Sequence, residues 1–254
     1  MYKRQFFALA PLLLFLWIRN EFPNGLKTSR PFGHLLRGFL GAVSLFTSFA
    51  ALNYLNISEA MLLAQLSPIF MAAAAVFLLS ERLTIWRVGG LVFGFMGVII
   101  LVSPDLNAQQ SDSFRLIGYA IGLISALFSA LALVMVRSLN KTESPGSIAF
   151  YFVMASMICT IFTMPYGWIV PRGEMLLLLI AAGIFGGFAH ITMTLAFRYA
   201  EASRLAPYEY IVLIWPILID LLVFNRTLST AFLIAIPFIL AGVFIATIEK
   251  TKLK

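Results

Sequence analysis

The sequence predicts an all-α protein, a polytopic bundle of helices that cross a lipid bilayer. The first observation is composition: of 254 residues, 61% are hydrophobic and only 11% are charged, and the mean hydropathy is +0.96. A soluble domain is about half apolar and about a quarter charged. A soluble protein of this composition would expose large apolar patches and aggregate. The expected solvent of most of this chain is therefore lipid.

The second observation is a series of long apolar runs separated by short polar loops. A helix satisfies its own backbone hydrogen bonds in lipid, so each run is predicted to be a helix. The first run is shorter than the roughly 18–20 residues that a spanning helix usually needs. The predicted spans lie near residues 5–18, 38–55, 60–79, 88–103, 115–136, 147–169, 175–197, 206–224 and 229–248.

The positions of lysine and arginine orient these spans. With the carboxyl terminus in the cytoplasm, thirteen of the eighteen basic residues lie on the cytoplasmic side, as the positive-inside rule favours. Arg37, which precedes the span predicted at 38–55, is counted among those cytoplasmic charges. The amino terminus is then outside, where Lys3 and Arg4 run against the rule. The net charge of +7 is thus interpreted as an orientation signal, and no nucleic-acid partner is expected.

The third observation is an internal repeat. Residues 38–102 align without gaps to 183–247, with identity at twelve of 65 positions. The second half then contains five spans and the first half four, so one further span is expected upstream of this chain. Because five is odd, the halves are predicted to be inverted, as in many secondary transporters. The predicted domains are 1–103, a first repeat lacking its first span, and 115–248, a second repeat, giving a 4(5)+5 arrangement.

These patterns resemble a known family. The segment "ALNYLNISEAMLLAQLSPIFMAAAAVFLLSERLTIWRVGGLVFGFMGVIILV", residues 51–102, resembles the first EamA repeat of the drug/metabolite transporter superfamily, with Pro68 and Glu81 among its marks. Residues 196–247 resemble the matching part of the second repeat, except that Arg226 stands where an acid is usual. The resemblance implies ten spans in two inverted sets of five. The segment "LKTSRPFGHLLRG", residues 26–38, resembles the cytoplasmic loop of members that carry S-adenosylmethionine.

Two acidic residues within one apolar stretch are the leading candidates for substrate binding. Glu209 and Asp220 are eleven residues apart and share one face of a helix. Ionisable groups at membrane depth usually face the interior of a bundle. One interpretation places both acids in a central cavity, where they bind a cationic group or a proton. The alternative pairs Glu209 with Arg204 or Arg198, and Asp220 with Arg226.

Further candidates are polar or aromatic groups within or near the spans. His190 could relay protons, because an imidazole titrates near pH ~6.5, or it could serve packing. Trp215 lies in the middle of a span, where it could stack on a flat substrate or pack in the core. Gln65 could bond a substrate or another helix. The remaining candidates are Tyr208 in the same stretch, and Asn53 and Tyr54 at a span end.

The predicted function is secondary transport of a small metabolite across the cell inner membrane by alternating access. No enzyme, cofactor or metal site is expected, since no P-loop is present and the chain has two histidines. The expected partners are a small-molecule metabolite and the bilayer, with a homodimer kept open. Two alternatives are a truncated membrane protein without transport activity and a membrane-embedded enzyme.

Overall fold

A computed structural model describes residues 2–23, 26–79, 85–107, 113–161, 172–199 and 210–248 of the chain. Within these ranges the regular structure is helical, as the composition predicts. A 3₁₀ turn, Tyr210–Leu213, directly precedes the α-helix that begins at Ile214. The α-helices are α1 Tyr2–Ile18, α2 Pro31–Ala51, α3 Ile57–Ala64, α4 Ser67–Leu79, α5 Ile85–Asn107, α6 Ser113–Leu139, α7 Pro145–Ile161, α8 Glu174–Tyr199, α9 Ile214–Leu222 and α10 Thr230–Ile248.

Three of the described helices are long and apolar enough to cross a bilayer by themselves: Pro31–Ala51, Ser113–Leu139 and the Glu174–Ala196 part of α8. A helix rises 1.5 Å per residue, so about 20 residues match the hydrocarbon core. Five shorter apolar helices accompany them. The fold is therefore the all-helical membrane bundle that the sequence predicts.

Helix α2 begins seven residues earlier than the predicted span, at Pro31 instead of residue 38. Proline suits the first helical position because its missing N–H would have no partner there. His34 and Arg37 consequently lie on the helix and are buried, with exposures of 3% and 5%. The predicted span excluded Arg37, and this boundary was wrong, because Arg37 lies within helix α2.

The span predicted at residues 60–79 is two helices, α3 and α4, separated at Gln65 and Leu66. The N–H of Gln65 donates to the carbonyl of Leu62, three residues back, which tightens the end of α3. Pro68 then occupies the first turn of α4, where proline is tolerated. The repeat alignment pairs Gln65 with Tyr210, where the 3₁₀ turn before α9 begins.

The chain divides into two compact units. Unit 1 contains residues 1–42 and 135–200, and unit 2 contains residues 43–134 and 201–254. Each unit therefore takes residues from both halves of the sequence.

In unit 1, α1 packs against α8 and α7. Gly183 of α8 permits this approach, because an added Cβ would lie 2.5 Å from Phe7 Cβ and 2.6 Å from the Arg4 carbonyl oxygen. Gly187, one turn later, faces Pro11 in the same way. Small residues let helix backbones approach closely. The buried core of this packing is formed by Ala8, Leu12, Ala149, Phe152, Val153 and Ile191.

In unit 2, the dominant packing is between α5 and α10. At Gly242 of α10 an added Cβ would lie 2.6 Å from the Gly94 nitrogen and 2.7 Å from the Gly90 carbonyl oxygen, so backbone meets backbone there. On α6, Gly118 and Gly122 face Tyr54 and Leu63 at similarly short range. The resulting core includes Leu62, Leu63, Leu66, Ile69, Val98, Leu101, Phe232, Ala235, Ile239 and Val243.

Candidate functional site

Asp220 is fully buried in α9, and its partners lie within unit 2. Its Oδ2 accepts a hydrogen bond of 2.7 Å from the backbone N–H of Ser58, in the first turn of α3. Its Oδ1 lies 3.8 Å from Arg226 Nη1. A carboxylate at a helix amino terminus satisfies a free N–H and complements the helix dipole. Asp220 thus caps α3 and has an ion-pair partner, which is the alternative that the sequence offers to a cavity role.

Glu59 extends this set of bonds at the same end of α3. Its Oε2 accepts the backbone N–H of Asn56 at 3.0 Å, and its Oε1 pairs with Arg115 Nη2 at 2.8 Å. Arg115 Nη2 also donates to the Tyr119 hydroxyl at 2.8 Å. The two carboxylates at this end of α3 therefore both have ionic and hydrogen-bond partners.

The other candidates in unit 2 do not gather around Asp220. Gln65 is buried at the opposite end of α3. Asn53 is exposed at the end of α2, and Tyr54 is half-buried against Gly118. Trp215 is 65% exposed, so in this chain it neither packs in the core nor lines a buried cavity. Tyr208 and Glu209 lie outside the described residues.

His190 belongs to a different polar site, in unit 1. Its ring stands edge-on to Phe152, with centroids 4.6 Å apart. Its carbonyl oxygen accepts the hydroxyl of Thr194. The charges of Arg37 and Arg4 both act on the imidazole. We call Arg4, Arg37, Phe152 and His190 the Arg37 cluster.

Arg37 is the residue of this cluster with the least satisfied side chain. Its guanidinium carbon lies 4.1 Å from the centroid of the Phe152 ring, which is a cation–π contact. The side chain is 95% buried, yet Nε and Nη1 have no hydrogen-bond partner among the described residues. A buried donor without an acceptor costs about 1–3 kcal/mol, and more when it is charged. The cluster therefore holds a cation with unused donors.

Two glycines make room for the arginines of the cluster. A Cβ added at Gly41, one turn after Arg37, would overlap Arg37 Nη1 and lie 2.5 Å from Phe152 Cε2. A Cβ added at Gly186 would lie 2.7 Å from Arg4 Nη2. The repeat alignment pairs Gly41 with Gly186. Glycine at both positions lets a guanidinium lie directly against a helix backbone.

A third polar site, also in unit 1, anchors the segment before α2. Glu143 Oε1, in the turn between α6 and α7, accepts the Thr28 hydroxyl at 3.0 Å, the Ser29 N–H at 3.1 Å and the Ser29 hydroxyl at 3.0 Å. Its Oε2 lies 3.6 Å from His34 Nε2. Burial alone would raise the pKa of Glu143, but the donors from Thr28 and Ser29 outweigh it, and the pKa lies below its ordinary value of 4.5.

Sequence reasoning missed the Arg37 cluster because Arg37 and Arg4 were placed outside the predicted spans. One signal could have revealed it: Arg37 precedes Gly41 by four residues and follows His34 by three, so the three positions share one helix face. The sequence does not show that Phe152 contacts Arg37, because Phe152 lies on a helix more than a hundred residues later.

Several proteins that are similar to this chain in sequence are transporters of small metabolites. The S-adenosylmethionine uptake transporter of Rickettsia prowazekii is 30% identical over 224 residues, which cover 88% of this chain and 73% of the relative. The pseudopaline exporter of Pseudomonas aeruginosa is 28% identical, covering 82% and 72%. The riboflavin transporter of Vibrio cholerae is 28% identical, covering 86% and 70%.

The family follows from a match that spans most of the chain. The EamA-like transporter family matches residues 3–103 and 116–248. The chain belongs to this family, and its function is the transport of a small metabolite across a membrane. A crystal structure of another protein superposes with a TM-score of 0.70 over 98% of this chain and 87% of that chain. At 21% identity that likeness concerns the fold alone.

Proposed function

We propose that this chain is a multi-pass carrier of the cell inner membrane that moves its metabolite by alternating access and catalyses no reaction. The observation that carries the proposal is the family match to both halves of the chain, residues 3–103 and 116–248. Paired halves that can exchange shapes offer a way to open one site to each side of the membrane in turn. The named relatives include an uptake transporter and an exporter, so the shared architecture serves both directions.

Interrupted helices support the same mechanism. Transporter sites are commonly built where a spanning helix is broken, because the break supplies free backbone groups and a hinge. Here α3 ends at Ala64 and α4 begins at Ser67, and the repeat-related position in the second half begins the 3₁₀ turn Tyr210–Leu213. We propose that the break between α3 and α4 and the 3₁₀ turn Tyr210–Leu213 bend during the transport cycle.

For the substrate, we propose a metabolite with an amino-acid moiety, with S-adenosylmethionine as the first compound to test. The support is the 30% identity to the S-adenosylmethionine uptake transporter over 88% of this chain. The Arg37 cluster agrees with a substrate of this class, because an amino-acid moiety brings a carboxylate to Arg37, whose Nε and Nη1 have no acceptor among the described residues.

Counterflow in proteoliposomes tests the proposal. Vesicles that contain the purified chain are loaded with unlabelled S-adenosylmethionine and diluted into a trace of radiolabelled compound. An alternating-access carrier accumulates the label transiently above its outside concentration, and it does so only when the vesicles are preloaded. Vesicles without protein are the control.

Two results would contradict the proposal. Uptake that ignores preloading would indicate a channel or a leak. A chain that moves neither S-adenosylmethionine, nor riboflavin, nor any compound of an extracted metabolite pool would be a membrane protein without transport activity. Chemical change of a pool compound during the assay would instead favour the membrane-embedded enzyme.

A further inference from the structure

We propose that the Arg37 cluster is a subsite that binds the carboxylate of the transported metabolite, with the Arg37 guanidinium as its direct partner. The proposal rests on the proposed function and deepens it, since it assigns a substrate group to named residues. Arg37, Arg4, Phe152 and His190 all lie within unit 1. The cluster therefore exists within one compact unit.

Arg37 has unused hydrogen-bonding capacity. Its side chain is 95% buried and two of its nitrogens, Nε and Nη1, have no acceptor among the described residues. The Phe152 ring at 4.1 Å stabilises the positive charge but accepts no ordinary hydrogen bond. A guanidinium presents its donors as a planar fork that matches the two oxygens of a carboxylate. A carboxylate would therefore fit the unused donors of Arg37.

The charged side chains of the Arg37 cluster are positive. Arg4 and Arg37 are both close enough to His190 for their positive charges to act on the imidazole. Glu143, a carboxylate of the same unit, is bonded to Thr28 and Ser29 instead. A nearby opposite charge favours the charged form of a buried group, so an anion beside the Arg37 guanidinium would stabilise it.

Helix α7 carries a second unsatisfied donor, on the face that includes Phe152. Ser156 follows Phe152 by four residues, is 1% exposed, and its hydroxyl has no partner among the described residues. Positions i and i+4 are neighbours on a helix surface. The spacing therefore places a second buried donor, which is neutral, on the helix face that carries Phe152.

The test is equilibrium binding of S-adenosylmethionine and of decarboxylated S-adenosylmethionine, which differ only in the carboxylate. The full chain is reconstituted in nanodiscs of phosphatidylcholine. The wild-type chain should bind the carboxylate-bearing compound about 10- to 100-fold more tightly, which corresponds to one charge-assisted interaction. Arg37→Gln should bind both compounds equally weakly, because the carboxylate then has no partner.

Two further variants separate charge from geometry. Arg37→Lys keeps the charge but lacks the planar fork, so it should retain only part of the preference. Gly41→Ala keeps Arg37 but places a Cβ where Nη1 now lies, and it should reduce the preference as well. Arg172→Gln is the control, since Arg172 is exposed ahead of α8 and about 27 Å along the helix axis from His190. It should bind like the wild type.

Thermal unfolding without ligand distinguishes a binding role from a structural one. If Arg37 serves to bind a ligand, its buried charge destabilises the ligand-free fold. Removing that charge removes the cost, so Arg37→Gln should melt at the wild-type temperature or above it. If Arg37 holds the fold together, the same variant should melt lower. A lower melting temperature together with an unchanged ratio of the two affinities would overturn the proposal.

Other outcomes decide the remaining alternatives. Equal wild-type affinity for the two compounds, or binding of neither, overturns the subsite. Stabilisation by inorganic phosphate in the absence of any by S-adenosylmethionine would assign the cluster to a phosphate group, such as that of a lipid, and would also overturn it. Counterflow without a carboxylate preference removes the subsite and leaves the carrier. A carboxylate preference without counterflow removes the carrier and leaves the subsite.

Discussion

At the scale of single residues, the satisfaction of buried charges separates structural positions from candidate binding positions. Asp220 and Arg37 are both buried ionisable groups in apolar helices. Asp220 has a backbone donor at 2.7 Å and a cation at 3.8 Å. Arg37 has an aromatic face and no acceptor among the described residues. Both side chains are buried and ionisable, but only Asp220 has a hydrogen-bond partner and a counter-ion among the described residues.

Asp220→Asn tests the structural role of this carboxylate. The amide oxygen can still accept the Ser58 N–H, but the charge opposite Arg226 is lost. We expect a free energy of unfolding lower by about 1–3 kcal/mol, read as a lower melting temperature in detergent. The KM for counterflow, measured on the folded fraction, should stay at the wild-type value. A raised KM at an unchanged melting temperature would place Asp220 at the substrate instead.

The residue scale is also where sequence reasoning reaches its limit. The apolar stretch from Arg204 to Phe224 shows that Asp220 needs a partner, and Arg226 is identifiable because it is six residues away. Ser58 is not, because it is 162 positions distant and donates through its backbone, which every residue has. The burial of Arg37 was not predicted for a related reason. The sequence does not distinguish a buried arginine from a loop arginine until the neighbouring helix is known.

At the scale of elements, the ends and close approaches of helices decide what can move. Apolar runs predict most helices here, since burial in lipid makes hydropathy a strong signal. The interruption between α3 and α4 is not visible in hydropathy, because Gln65 and Ser67 are two polar residues in a long apolar run. The α5–α10 seam depends on glycines, whose role appears only when the facing backbone is known.

Gly242→Val tests that seam. The added atoms would meet the Gly94 nitrogen and the Gly90 carbonyl oxygen, which belong to a helix backbone and cannot rotate away. We expect the free energy of unfolding to fall by about 1–3 kcal/mol or more, as for other overpacked cores. The control is Gly89→Ala, whose added Cβ would have its nearest neighbour at an ordinary 3.5 Å. Equal melting temperatures for the two variants would contradict the close approach of α5 and α10.

Glu143→Gln tests the anchor of the segment before α2. Because the folded pKa of Glu143 is below 4.5, its ionised form stabilises the fold at neutral pH, and this contribution is lost as pH falls through the lowered pKa. We expect the free energy of unfolding of Glu143→Gln to be about 1.5–3 kcal/mol lower than that of the wild type at pH 7. The difference from wild type should shrink below about pH 4.5.

The control for this variant is Glu174→Gln, because Glu174 is exposed in the first turn of α8. Its melting temperature should follow that of the wild type at every pH. A gap between wild type and Glu143→Gln that stays constant down to pH 3.5 would show that the carboxylate charge contributes nothing to the anchor.

At the scale of the whole molecule, the two compact units and the two predicted repeats divide the chain differently. The units join residues 1–42 to 135–200, and 43–134 to 201–254. The repeats divide it near residue 110. Each unit thus depends on both repeats. Sequence comparison of the halves indicates that they are related, but it does not indicate how their helices are shared.

The inverted orientation of the repeats is tested by accessibility. Asn53 and Arg198 are paired by the repeat alignment, and both are exposed. We would place a single cysteine at each in turn, as Asn53→Cys and Arg198→Cys, after Cys159→Ala removes the native thiol. A membrane-impermeant thiol reagent should label one position in intact cells and the other only after permeabilisation. Labelling of both from the same side would contradict the inversion.

The unmatched guanidinium has a consequence for the direction of traffic. If the substrate supplies the counter-ion, the charge of Arg37 is neutralised when the substrate-bound protein changes conformation. In the empty protein the same change occurs with an uncompensated cation in a low-dielectric environment. The vacant form should then reset more slowly than the loaded form. Such a carrier favours swapping one molecule for another over net pumping, and the gradient of its own cargo would set which way material flows.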